Sequence, residues 1–265
     1  MIGRRTVYRG GMAAVMALLI TGAAGAQMAD DVRSLELLRV IHEPTAGVLK
    51  KGQYELELNS FGYGGMQVGI AIGLFDRFMF GVSFGGDGLI GYGEPTWNDL
   101  PGMIVKYRLI EESQVLPAVA IGFDMQGQGN WFKEDDRYLY KAPGGFIAAS
   151  RNWMSPYGRF GLHGGVNINS TENDQEQGMD GFLGLDFSLN EQLALLLEYD
   201  FAVDDNEEDG RFGEGPYGYL NAGLRFTFAQ ALVIDVGAVD LFNSSAETDG
   251  WGREIRISYV ETFTF

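Results

Sequence analysis

Met66-Gln67-Val68-Gly69-Ile70-Ala71-Ile72-Gly73-Leu74 decides the fold. Its apolar residues, Met66, Val68, Ile70, Ile72 and Leu74, alternate strictly with Gln67, Gly69, Ala71 and Gly73. Successive side chains of a strand point to opposite faces, so this period of two gives one greasy face and one small or polar face. After a tight Asp76-Arg77 turn, Phe78, Phe80, Val82 and Phe84 repeat the pattern. Met103, Val105, Tyr107 and Leu109, then Val115, Pro117, Val119, Ile121 and Phe123, form the next up-and-down pair. The same period predicts strands near 144–153, 157–169, 180–189, 192–201, 218–228 and 231–241. With Tyr54 to Leu58 at the start and Ile255 to Phe265 at the end, the count is about twelve.

The connections alternate in length. Short ones fall at Asp76-Arg77, 111–114, Met154-Ser155, Asn190-Glu191 and Ala229-Gln230, and long ones at 86–101, 126–140, 170–178, 203–216 and 243–250. An even number of strands joined by alternating short turns and long loops is the pattern of outer-membrane barrels, with the turns in the periplasm. The expectation is an all-β protein: a transmembrane antiparallel up-and-down β-barrel over residues 52–265, in the bacterial outer membrane, with periplasmic N- and C-termini. A secreted β-sandwich shares the alternation, but it explains neither the alternating connections nor the aromatic ends of the strands.

Those aromatic ends form two expected girdles, because amphipathic rings prefer the headgroup layer. Phe75, Phe78, Phe226, Phe228, Phe263 and Phe265 mark the inner rim, and Phe84, Phe123, Tyr199, Phe201, Tyr219 and Trp251 the outer one. The last strand, ending in Tyr259, Phe263 and Phe265, resembles the C-terminal signal of barrels handled by the bacterial barrel assembly machinery. Outer-membrane lipid and lipopolysaccharide are the expected surroundings.

Ahead of the sheet, Arg4, Arg5 and Arg9, the apolar run Met12 to Ile20, and Ala24-Gly25-Ala26 read as a signal peptide over residues 1–26. Without it the chain keeps 16 basic and 36 acidic residues, a charge that argues against nucleic acid, which recruits basic patches. The absence of cysteine removes disulfides and thiolate metal sites, and no cofactor is expected. Residues 27–51 form a periplasmic N-terminal segment. Val32, Leu35, Leu38 and Ile41 recur at helical spacing, so either a short helix that caps or plugs the barrel mouth, or a loosely ordered leader, fits before Pro44.

The charged parity faces the lumen. Glu55, Glu57, Lys106, Arg108, Arg159, His163, Asp186, Glu198, Arg225, Asp235, Glu254 and Arg256 are the expected lumen-lining set. Mixed charge at this density favours an ion-paired interior over a selectivity filter, since each buried charge needs a partner. Small inward residues such as Gly69, Ala71, Gly73, Ala118, Ala120 and Gly165 either leave a narrow water path or let a plug approach.

Catalytic signals are sparse. The histidines are His42, ahead of the sheet, and His163, which points inward and away from lipid esters, and no serine is identifiable beside it. A barrel-embedded hydrolase acting on lipid or glycan is the alternative to a non-enzymatic barrel. Asp205, Glu207 and Asp209 occupy the first, third and fifth places of a calcium loop with Gly210 at the sixth, but the twelfth is Pro216 instead of Glu. A solvated acidic loop is the expectation there.

Thr45-Ala46-Gly47-Val48-Leu49, Gly81-Val82-Ser83-Phe84-Gly85-Gly86, Trp97-Asn98-Asp99-Leu100-Pro101-Gly102, Leu116 to Asp124 and Ala148-Ala149-Ser150-Arg151 resemble the YjbH-like outer-membrane proteins linked to exopolysaccharide production. The similarity runs over roughly residues 45–153. This chain is far shorter than the typical member and lacks a lipobox cysteine. The resemblance implies the fold and compartment, and with them a narrow passive channel or an accessory barrel for envelope polysaccharide export. It supplies no catalytic residues to transfer.

Overall fold

A sheet that meets hydrocarbon must close on itself, because an open edge leaves backbone groups unpaired in lipid. This one closes. The computed structural model describes residues 35–91, 94–172, 178–205, 218–245 and 247–263. Its strands are β1 (Gln53–Phe61), β2 (Gly65–Phe75), β3 (Phe78–Asp87), β4 (Thr96–Trp97), β5 (Gly102–Ile110), β6 (Ala118–Asp124), β7 (Gln128–Phe132) and β8 (Arg137–Tyr140). They continue as β9 (Gly144–Ser155), β10 (Gly158–Ile168), β11 (Met179–Ser188), β12 (Leu193–Asp200), β13 (Tyr219–Phe228), β14 (Leu232–Val239) and β15 (Gly252–Thr262). All except β4, β7 and β8 are staves of one antiparallel barrel of twelve strands, each paired with the next. The seam joins β1 to β15, with Leu56 opposite Tyr259 and Leu58 opposite Ile257.

The parity read from the sequence is the parity of the wall. Val68, Ile70, Val82, Ile121, Leu185, Leu197, Leu224, Val236 and Ile255 are exposed, while Lys106, Arg108, Asp186, Glu198 and Arg256 are buried. This inverts a water-soluble protein, in which large aliphatic residues go inside and charges stay out. The short turns gather at one end of the barrel. One of them, Ala229-Gln230, has both φ values positive, 49° and 55°, the two-residue hairpin geometry whose twist matches the flanking strands.

Three expectations change. Tyr219 is buried and faces inward, so it leaves the outer girdle that Phe84, Phe123 and Trp251 keep. Residues 35–51 carry no helix; the chain bends there instead, around a bridge between Arg39 and Pro44. The long connection 126–140 is not plain loop, since β7 and β8 pair within it as a hairpin. The leader 1–26 and the terminal Phe265 lie outside the described residues.

Candidate functional site: an occupied lumen

The space inside the barrel is filled by its own chain. Val40 N–H donates to the Glu43 carbonyl (3.0 Å) and Thr45 N–H to the Leu38 carbonyl (3.2 Å), folding residues 36–47 into a tight hairpin with its apex at 40–43. Val40, Ile41, Ala46, Val48 and Leu49 are buried. Irregular backbone enclosed this way must find partners for its N–H and C=O groups, and the barrel ladder has none to spare. Wall side chains supply them. Glu198 on β12 accepts the amides of Ile41 (2.8 Å), His42 (3.0 Å) and Glu43 (2.8 Å), and the Asn221 side-chain amide (2.9 Å) completes its shell.

The hairpin's carbonyls are met by cations. Lys106 donates to Leu38 (2.7 Å) and Thr45 (3.2 Å), Arg108 to Ala46 (3.0 Å) and Arg256 to Ile41 (2.6 Å). Arg108 also pairs with Glu36, and His42 with Glu254 at 2.9 Å. Mixed inward charge is therefore a set of clamps on a peptide backbone. Inward glycines make the fit possible: a Cβ on Gly184 would stand 2.6 Å from Val40 Cγ2.

From the other end comes the β7–β8 hairpin. Its tether is Arg137, whose fork grips Asp205 at 2.7 and 3.0 Å, while the Tyr219 hydroxyl donates to the same carboxylate at 2.7 Å. Asn98 donates to the Tyr138 hydroxyl (3.2 Å) and Asn59 to Gln128 (3.3 Å). The Tyr140 ring lies 5.3 Å from His42 and 5.0 Å, edge-on, from Tyr219. Val40 and Ile41 share one apolar cluster with Leu139, Tyr140 and Tyr219, so the two intruding elements meet.

Cavities flank these elements at both ends of the barrel. A cavity of about 640 Å³ opens among Glu55, Arg159, Asn190 and Gln192 at the short-turn end. Another, of about 450 Å³, lies among Phe61, Asn130, Tyr140 and Asp249 at the long-loop end. Neighbouring inward residues of β15 reach both, Arg256 lining the first and Glu254 the second.

Of the other expected lumen residues, Glu55 lines the first cavity and the rest form ion pairs. Arg225 binds Asp235 through two contacts (2.6 and 2.7 Å), Arg159 stands 3.8 Å from Asp186, and Glu57 lies between Arg39 (3.7 Å) and Arg256 (3.6 Å). His163 bridges Ser150 Oγ (2.9 Å) and Asp186 (2.8 Å), a Ser-His-Asp line that sequence reasoning missed because the serine sits on the neighbouring strand. The serine is buried and engaged by the hairpin: Ser150 Oγ accepts the Ala46 amide at 2.9 Å, and neither of these cavities touches Ser150 or His163.

Asp205, expected in a solvated loop, is buried against Arg137 instead, while Glu207 and Asp209 fall outside the described residues. Among the described residues no cluster of three acids or histidines is arranged to hold a metal ion. Beside Asp205, burial raises Asp204 to about 7; the nearby charges of Asp180 and Asp205 add to this and Lys141 opposes it.

No family model matches the chain, and no curated protein does. Among solved structures it is similar to the NanC porin, at 9% identity and a TM-score of 0.39, over 80% of this chain and 100% of that one. It is similar to the KdgM porin at 10% identity and a TM-score of 0.45, over 80% and 99%. The translocator domain of the autotransporter NalP from Neisseria meningitidis gives 14% identity and 0.37, over 80% and 86%. The class follows from the ladder itself: a closed, even-stranded antiparallel barrel with an apolar exterior is an outer-membrane β-barrel protein. Within that class it is a barrel stoppered by its own chain.

Proposed function

We propose that the protein is a narrow passive channel of the bacterial outer membrane, held closed at rest by two elements that enter from opposite ends. The observation that carries this reading is the meeting of the two elements inside the barrel, where the His42 ring lies 5.3 Å from Tyr140. Short turns on the periplasmic side would put both termini there, so the N-terminal hairpin stoppers the channel from the periplasm and β7–β8 from outside. The solute class we favour is envelope polysaccharide, on the resemblance over residues 45–153, with the barrel serving as an accessory to export. Planar-bilayer recording tests the channel. Wild-type protein should show rare openings, and deletion of residues 36–47 should give steady unit conductance. A correctly folded deletion variant that passes no current in any salt or voltage sinks the reading.

A hydrolase remains the second reading because of the Ser150–His163–Asp186 line. The capped hydroxyl speaks for a structural role, in which the line holds the Ala46 amide. His163→Ala should therefore leave any hydrolysis of envelope lipid or glycan by the purified protein unchanged. Loss of a measurable activity in that variant would favour the enzyme.

A further inference from the structure

Four carboxyl groups gather where the N-terminal hairpin meets the wall: Glu43 on the hairpin, Asp180 on β11, Asp200 at the end of β12 and Asp204 in the turn after it. The charges that act most on Glu43 are Glu198, Asp180, Asp204 and Asp124, all acidic. Asp200 feels the charges of Glu43 and Asp180. Glu43 Oε2 and Asp204 Oδ2 are buried without a hydrogen-bond partner.

The cations nearby among the described residues have other partners as well, and Lys141 offsets part of the charge at Asp204. Lys141 donates to the Asp204 backbone carbonyl (2.6 Å), Arg137 to Asp205, Lys106 to the Leu38 and Thr45 carbonyls, and Arg256 to the Ile41 carbonyl. Arg39 pairs with Glu57. The amides of Val203 and Ala202 satisfy one oxygen each of Asp180 and Asp200, at 3.0 and 2.9 Å. Crowded carboxylates in a dry site cannot all stay ionised, so such a cluster holds protons in common.

We propose that this carboxyl cluster is a proton latch, which seats the N-terminal hairpin while its protons are shared and releases it when they ionise. The inference rests on the channel reading and adds its regulation. Glu43, whose carboxyl is pushed well above the ordinary range by burial and by the facing charges of Glu198, Asp180 and Asp204, sets the direction of the effect. A carboxyl that holds its proton more tightly when the hairpin is seated favours seating at low pH. That preference is lost as pH rises from the ordinary carboxylate value near 4 through the raised value of the seated group, at a limit of about tenfold per pH unit for each proton released.

The test compares macroscopic conductance at pH 5 and pH 8 in planar bilayers for wild type, for Glu43→Gln combined with Asp204→Asn, and for the 36–47 deletion. The expected pattern is wild type closed at pH 5 and at least tenfold more conductive at pH 8, the double variant closed at both, and the deletion open at both. Equal wild-type conductance at the two pH values beside an open deletion variant overturns the latch and leaves the channel standing. A folded but silent deletion variant removes the channel itself, and the latch with it. Hydrogen exchange at the amides of residues 41–43, corrected for its intrinsic pH dependence, gives a second readout on wild type alone. Protection should fall at pH 8, and unchanged protection counts against the latch even if the variants misfold.

Discussion

Two segments enter the same lumen from opposite ends, and they are held in opposite ways. Hairpin 36–47 is gripped mostly through its backbone: Glu198 collects three amides, and Lys106, Arg108 and Arg256 take its carbonyls. Hairpin β7–β8 is held mostly through side chains, Arg137 on Asp205, Asn98 on Tyr138 and Asn59 on Gln128. The first anchorage recognises the course of a chain, and the second recognises particular residues. A single wall residue can therefore release the first, whereas the second is released by altering the hairpin itself.

Glu198→Ala is the harshest way to probe the difference. It would strand three amides and the Asn221 donor in a buried site, a loss of about 3 kcal/mol, or more than a hundredfold in the ratio of seated to released hairpin. Faster exchange at residues 41–43 together with frequent channel openings is the expected result, and Glu198→Gln, which keeps an acceptor, should sit between it and wild type. If Glu198→Ala leaves both unchanged, the backbone grip is not what holds the stopper. A smaller effect is expected from Arg137→Ala, which loses the fork on Asp205, worth about 2 kcal/mol. Proteolysis within 128–140 should quicken while conductance stays at the wild-type level, because the N-terminal hairpin still fills its half. An Arg137→Ala protein that conducts freely would make β7–β8 the principal barrier and reverse the ranking.

The barrel was legible because a wall with lipid on one side and polar contacts on the other writes itself as alternation, and Met66 to Leu74 needs no partner to be read. The strands observed lie within a few residues of those expected, including Gly144–Ser155. The contents of the barrel were less legible. Leu35, Leu38 and Ile41 repeat at helical spacing, yet the segment folds as a hairpin because wall charges offer its backbone partners that no local pattern records. Tyr219 was assigned to the girdle as an aromatic at a strand end, but its inward parity and the carboxylate of Asp205 decide its place. Ser150 became visible beside His163 only once β9 and β10 were paired. Inward charge was readable as something needing partners, but not as something gripping peptide.

Gly184 carries a consequence for how this molecule can change. The space above it is already taken by Val40. A methyl group gained on the stave must be met by a shift of Val40 or by atoms lost there, so what position 184 can accept depends on a residue of the stopper far from it in sequence.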